Sequence, residues 1–179
     1  MRYSKICVVN PPSPPGYVSN KDSMGGFGQL YPIGATLFPP LDLIYLGSYL
    51  VDQNFPVELL ECLALDLNRE QLLDRISRAG GDLSLPSLIV VRTSAPTLDW
   101  DLEICRDIKT RTPTCHLLLY GPVVASVMAR IQKEACVDYI VKGDPDETVA
   151  KLAVSELTDA PGLTYRNPFG WIETTASAW

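Results

Sequence analysis

Three hydroxyl-bearing residues stand within five positions at Thr93-Ser94-Ala95-Pro96-Thr97. Such side chains both donate to and accept from the polar edge of a ligand. Thr97 suits a helix N-cap equally well, and Ser94 a turn. Gly121-Pro122 and Gly143-Asp144 each follow an apolar run. Glycine at such a place lets backbone approach a bulky group, or simply makes the turn. Asn10-Pro11-Pro12-Ser13-Pro14-Pro15-Gly16 contains four prolines, so it lacks four of the N–H donors that a phosphate cradle needs. Gly25-Gly26-Phe27-Gly28 follows no strand and opens no helix. As a dinucleotide fingerprint it is weak, and it reads as a loop apex.

No nucleophile–base pair emerges. The sole histidine, His116, opens an apolar run, which places it at the amino end of a strand and away from a strand-end crevice. The five cysteines, Cys7, Cys62, Cys105, Cys115 and Cys136, form no CxxC pair. A structural zinc site and a three-cysteine iron–sulfur motif are therefore excluded, and the thiols read as small core hydrophobes. The odd, scattered set suits reduced thiols in a cytoplasmic protein. Val8-Val9-Asn10 lacks the acidic residues that a receiver domain carries after its first strand.

The elements that must position these loops alternate regularly. Lys5–Asn10, Val57–Leu60, Leu88–Arg92, His116–Tyr120 and Tyr139–Val141 are short apolar runs read as strands. Between them, Leu41–Gln53, Leu67–Arg78 and the stretch from Leu98 carry helical stripes, such as Leu43, Leu46 and Leu50 or Leu98, Leu102, Cys105 and Ile108. Asn68 is the expected cap of the second helix and Gly80-Gly81 its stop. Ser126–Ala135 is the fourth helix. Asp144-Pro145-Asp146-Glu147 has the pattern of a capping box opening a fifth. Leu163–Arg166 and Trp171–Glu173 read as a small terminal hairpin. Strands alternating with helices predict an α/β three-layer domain: a Rossmann-like or flavodoxin-like parallel five-stranded sheet, order 2-1-3-4-5, with a C-terminal β-hairpin. Ligands of such sheets bind beyond the strand carboxyl ends, at the switch point between the first and third strands.

Between positions 11 and 40, seven prolines and five glycines make 12 of 30 residues. Residues 11–38 are therefore expected to be irregular, short of apolar anchors, and mobile until a ligand or further domain orders them. Elsewhere the composition is ordinary: 46% apolar and 20% charged residues in a chain of 179, enough for one domain with its own core. Fifteen basic against 21 acidic residues give a net charge of −6. A nucleic-acid or anionic-membrane partner would need a basic face instead. No apolar run approaches bilayer length, and prolines follow Ile6–Val9 at once, which excludes a signal-peptide core.

Taken in order, the motifs resemble the N-terminal cobalamin-binding-type domain of cobalamin-dependent radical S-adenosylmethionine (radical SAM) enzymes. They are Asn10-Pro11-Pro12, Pro39-Pro40-Leu41-Asp42-Leu43, Ser94-Ala95-Pro96-Thr97, Tyr120-Gly121-Pro122, Gly143-Asp144-Pro145-Asp146-Glu147 and Pro161-Gly162-Leu163-Thr164-Tyr165-Arg166. The resemblance implies a module that holds the corrin at the strand carboxyl ends, buries its nucleotide tail beside the sheet, and shows cobalt to a following radical SAM barrel. It implies cofactor contacts at Asn10, Pro11, Pro12, Ser94, Ala95, Pro96, Thr97, Tyr120, Gly121, Pro122, Val123, Gly143, Asp144 and Glu147, and no catalytic residue.

The sequence departs from the pattern in three places. The barrel's CxxxCxxC is absent, so the iron–sulfur cluster and S-adenosylmethionine belong to a part not present. The chain is then expected to be an excised domain, with residues 1–160 the α/β unit and 161–175 a hairpin leading to the barrel. Ser177-Ala178-Trp179 resembles the start of a streptavidin-binding tag, which sets residues 176–179 aside. There is no DxHxxG, which implies base-off cobalamin with no histidine on cobalt. Tyr120 replaces the first glycine of a Gly-Gly-Pro. The expected function is corrinoid binding for the parent's methyl transfer or related radical chemistry. The alternatives are a non-binding scaffold or docking domain of the same fold, which Tyr120 favours, and a module for another flat ligand such as a tetrapyrrole or a nucleotide.

Overall fold

The computed structural model describes residues 2–32, 34, 37–78, 85–154 and 157–175. The parallel strands are β1 (Lys5–Asn10), β4 (Val57–Glu61), β5 (Ser87–Arg92), β6 (His116–Tyr120) and β7 (Tyr139–Val141). They lie in the order β4-β1-β5-β6-β7, the arrangement expected from the sequence. The sheet is nevertheless seven-stranded, not five-stranded. β8 (Leu163–Asn167) pairs antiparallel with β7, and β9 (Gly170–Glu173) with β8, so the terminal hairpin extends the main sheet. The physical reason is the edge: a three-residue β7 would otherwise expose its unpaired backbone groups and the apolar face beside it. Leu163 and Tyr165 of the hairpin join the buried core.

The strands are continuous apolar runs because both faces are covered. Alternate residues divide between two cores. Ile6, Val8, Leu88, Val90, Leu118 and Tyr120 pack under α1 (Leu41–Asp52) and α5 (Asp146–Val154). Cys7, Val9, Ile89, Val91, Leu117 and Leu119 pack under α2 (Arg69–Arg78), α3 (Leu98–Arg111) and α4 (Val124–Ile131). Leu43, Leu46 and Leu50 are fully buried, as their helical stripe predicts. Asn68 does close a capping box: its Oδ1 accepts from Gln71 N at 3.0 Å while its own N–H donates to Gln71 Oε1 at 2.9 Å. Gly80-Gly81 and residues 176–179 lie outside the described residues.

Several local expectations are corrected. Residues 11–38 are not irregular throughout, because β2 (Val18–Asn20) and β3 (Gln29–Tyr31) form an antiparallel ribbon. Anchoring of this segment is polar rather than apolar, with Ser19, Asn20 and Lys21 buried. Thr97 does not cap α3 with its side chain; its hydroxyl is drawn to Asp101 instead. α4 begins two residues earlier than the stripe suggests and ends at Ile131. α5 begins at Asp146, so Asp144 stands outside the cap position.

Candidate functional site

The ribbon crosses the middle of the sheet's carboxyl edge as a strap, held by a buried polar network. The Lys21 ammonium donates to both Asp101 carboxylate oxygens and to the Arg92 carbonyl, each at 2.9 Å. Thr93 and Thr97 hydroxyls donate to Asp101 Oδ2 at 2.8 and 2.7 Å, and Ser94 Oγ lies 2.9 Å from Thr97 Oγ1. Lys21 is 2% exposed and Asp101 0%. Burial pushes the Lys21 ammonium below its ordinary pKa, opposed by the facing carboxylate. Beside it Arg92 is shared by two acids. Its Nε donates to Asp42 at 2.6 Å and its terminal nitrogens to Asp22 at 3.1 and 2.9 Å. Partial burial pushes Asp22 up, against the pull of Arg92. The strap sits so close that a side chain at Gly28 (φ +88°) would meet Ser94 Oγ at 2.7 Å, and Ala95 N–H donates to the Phe27 carbonyl at 2.9 Å.

Two cavities flank the strap. The first, about 490 Å³ at the β1–β4 end, has apolar walls that include Phe38, Pro40, Ile44 and Leu65, with Asn10 and Glu61 as polar lining. Asn10 Nδ2 donates to Glu61 Oε1 at 2.5 Å. A carboxylate only accepts, so the amide nitrogen must face it. That leaves the buried Asn10 Oδ1, which has no partner among the described residues.

The second cavity, about 280 Å³ at the β6–β7 end, is lined by Asp42, Tyr120, Gly121, Pro122 and residues 142–145. The Tyr120 hydroxyl is buried and also without a hydrogen-bond partner among the described residues. Gly121 (φ +142°) must be glycine, because a Cβ would lie 2.2 Å from the Thr93 carbonyl oxygen. A Cβ added at Gly143 would meet nothing beyond its chain neighbours within 4 Å. Lys142 Nζ is already paired with Glu173 at 2.6 Å. An outer groove of about 530 Å³ between α1 and α5 meets this cavity at residues 142–144.

The structure therefore separates the expected site residues into groups. Gly121, Pro122, Gly143 and Asp144 come together around one cavity with Tyr120. Asn10 faces the other, and Pro11 and Pro12 are buried behind it, the Pro12 carbonyl accepting from Trp100 Nε1 at 2.8 Å. Ala95 and Pro96 are exposed beside the strap, whereas Ser94 and Thr97 spend their hydroxyls inside the protein. Val123 is buried, and Glu147 is exposed along the outer groove.

Sequence reasoning missed Lys21, Asp22, Arg92 and Asp101. One signal was available: Asp101 follows Leu98 by three positions, a charge on the apolar stripe of α3. His116 begins β6 at the amino end, its Nδ1 lying 3.0 Å from Tyr3 Oη and 3.2 Å from Tyr139 Oη. All five cysteines are buried and free. Burial raises the Cys7 and Cys62 thiols to about 12 and Cys115 to about 11, values that keep them protonated and poor as nucleophiles. Among the described residues no three His, Cys, Asp or Glu side chains gather to hold a metal, and no helix is long and apolar enough to cross a membrane.

No family model matches the chain. Over 95% of its length it is 26% identical to the anaerobic magnesium-protoporphyrin IX monomethyl ester cyclase of Synechocystis sp., of which it spans 32%. Among solved structures, the radical S-adenosylmethionine methyltransferase TsrM from Kitasatospora setae, with cobalamin and a [4Fe-4S] cluster bound, matches 98% of this chain. The TM-score is 0.70 at 18% identity, and 29% of that chain is covered. The cobalamin-dependent S-adenosylmethionine radical enzyme OxsB, with aqua-cobalamin bound, matches 99% of this chain with a TM-score of 0.74 at 14% identity, over 23% of its own length. The chain thus spans a third or less of each of these proteins. Over nearly its whole length it resembles, and shares the fold of, one segment of cobalamin-dependent radical SAM enzymes.

Proposed function

We propose that this chain is a corrinoid-binding module that holds cobalamin at the open β6–β7 end of its sheet, for use by a radical SAM enzyme. The observation that carries this reading is the pairing of open space at Gly143 with the buried, unpartnered Tyr120 hydroxyl, in a fold shared with structures that hold cobalamin. The residues present fit the edge of a corrin. Gly121 and Gly143 would leave room for the edge of a flat ring beside Pro122, whose own ring lies close to Gly26 of the strap, and an amide arm would find a partner in the Tyr120 hydroxyl. Ala95 and Pro96 contribute exposed rim, and Asn10–Pro12 shape the floor beyond the strap. Asp144 and Glu147 stand at the crevice edge within reach of ring amides.

Bound cobalt supplies a carrier for a methyl group or a related axial ligand. The protein's part is to orient the ring and exclude water. Ser94 and Thr97 act as positioning residues: they fix Asp101, which fixes Lys21 and hence the strap. No side chain of this module moves a proton, and the reaction, the iron–sulfur cluster and S-adenosylmethionine belong to the remainder of a longer enzyme. His116 is at the opposite end of β6, four residues or ~13 Å of strand from Tyr120, whereas a nitrogen ligand must approach a metal to about 2 Å. Cobalt bound at the β6–β7 end would therefore be out of reach of His116, and the base-off state is read from the family resemblance alone.

Incubation with hydroxocobalamin followed by desalting tests the reading. It expects corrin absorption retained at about one equivalent, and an electron paramagnetic resonance signal of the reduced cobalt(II) form without nitrogen splitting. Nitrogen splitting lost in His116→Ala overturns the ligand assignment. Absence of retained corrin overturns the binding function and leaves the scaffold reading, which the strap sealed over Ser94 and Thr97 favours.

A further inference from the structure

We infer that this module grips the corrin ring while excluding the anionic nucleotide tail, so that it takes tail-less corrinoids at least as readily as cobalamin. The inference rests on the corrinoid reading above and names which members of that ligand class fit.

Tyr120 is the first reason. By strand alternation its ring enters the core between the sheet and helices α1 and α5, alongside Leu43, Leu46, Val141 and Val149, and it is 2% exposed. A ligand arm passing between sheet and helices at this end must eject that ring. Loss of a buried aromatic from a core corresponds to about a hundredfold or more in an equilibrium constant. What remains above the ring, short of the outer groove between α1 and α5, is the cavity of about 280 Å³. That is below the roughly 300–1,000 Å³ that buries a drug-sized group, and a nucleotide with its linker is of that size. A single amide arm of the corrin is far smaller, and the unpartnered Tyr120 hydroxyl gives it a hydrogen-bond partner.

Charge is the second and independent reason. The tail carries a phosphodiester. Asp42 and Asp144 line the cavity, and Asp146 follows at the start of α5. Arg92 is divided between Asp42 and Asp22, which leaves that trio one charge negative. Lys142, the one lysine in the lining, is paired with Glu173. Such a lining opposes a phosphate and suits a cationic cobalt ring with neutral amide arms.

The test compares diaquacobinamide, which lacks the nucleotide, with hydroxocobalamin. Both are titrated into the protein by visible absorbance at low and moderate salt. The expected result is a Kd for cobinamide equal to that of cobalamin within about threefold, or tighter. Asp144→Asn, on an exposed turn, is expected to improve cobalamin selectively by about two- to fivefold at low salt. Tyr120→Gly is expected to move the preference tenfold or more toward cobalamin. Tyr120→Phe, which keeps the ring in place, leaves the ratio unchanged while weakening both ligands a few-fold. Cobalamin binding tenfold tighter than cobinamide to the unaltered protein overturns the inference alone, and places the tail in the outer α1–α5 groove. Retention of neither corrinoid removes the reading on which it rests.

Discussion

The middle of the carboxyl edge and its β6–β7 end are built from similar polar residues and treat them oppositely. Under the strap, Lys21, Thr93, Ser94, Thr97 and Asp101 satisfy one another. At the β6–β7 end, Tyr120 buries a hydroxyl with no partner among the described residues, beside the space left by Gly143. Asn10 Oδ1 repeats that situation on the far side of the strap. A buried polar group left unmatched is costly. The Thr112 and Thr164 hydroxyls are unmatched too among the described residues but line neither cavity. Matched groups therefore mark a region that is finished, and it is an unmatched group on a cavity wall that marks a region awaiting something. The hydroxyl-rich loop after β5 is the finished kind, although in sequence it is the more suggestive of the two.

The largest expected effect breaks the strap. Lys21→Met leaves Asp101 as a buried charge without its cation, which costs about 3–5 kcal/mol. Urea unfolding measures it, and residues 18–31 should lose hydrogen-exchange protection before the sheet does. A loss below about 1 kcal/mol means the middle of the edge is not the sealed region described.

Next is the contrast between two glycines of the open end. Gly121→Ala forces a Cβ against the Thr93 carbonyl at a left-handed φ and is expected to cost about 2–4 kcal/mol. Gly143→Ala meets nothing within 4 Å and should change stability by about 0.5 kcal/mol or less. Its effect should appear instead as weaker retention of corrin. Equal destabilisation by both would erase the distinction between a glycine that closes a turn and one that leaves room.

Tyr120→Phe is smaller and of opposite sign. Removing an unmatched buried hydroxyl without its ring should leave the ligand-free protein unchanged or stabilise it by up to about 1 kcal/mol. A loss greater than 1 kcal/mol would show that the hydroxyl already has a partner in solution.

The smallest effect lies at the amino end, far from either region. Burial lowers the pKa of the His116 imidazole, with Asp138 opposing and Lys109 and Arg2 adding to the shift. Between that lowered value and about 6.5 the unfolded chain binds more protons than the folded one. Stability should therefore fall as pH drops through this window and level off below it. Asp22 and Asp146, whose pKa values burial raises, act with the opposite sign at lower pH. The difference between wild type and His116→Gln, from urea midpoints at pH 5 and 7.5, isolates the histidine. A slope that persists unchanged in the variant assigns it elsewhere.

How much was legible follows from the range of the forces involved. The strands and helix stripes were readable because burial on both sheet faces demands apolar residues at fixed periods, and Leu43, Leu46 and Leu50 meet that demand within two helical turns. The cap at Asn68 is likewise local, since it answers to its own backbone, whereas glycine at 121 is demanded by the distant Thr93 carbonyl. The joining of β8 to β7 was not readable, because a hairpin pattern is the same whether its outer edge meets solvent or another strand. The strap was less readable still. Lys21 and Asp101 are 80 residues apart, and nothing in either local segment states that one will be the other's counter-ion. Composition called residues 11–38 poorly anchored because it counts apolar side chains, whereas this segment is held by charge. By itself, then, the sequence determined which strands would be central, since periodicity and strand order need no distant partner. Which loop hydroxyls remained for a ligand was decided only by the tertiary structure, because a buried hydrogen bond depends on whichever distant group the fold brings within 3 Å.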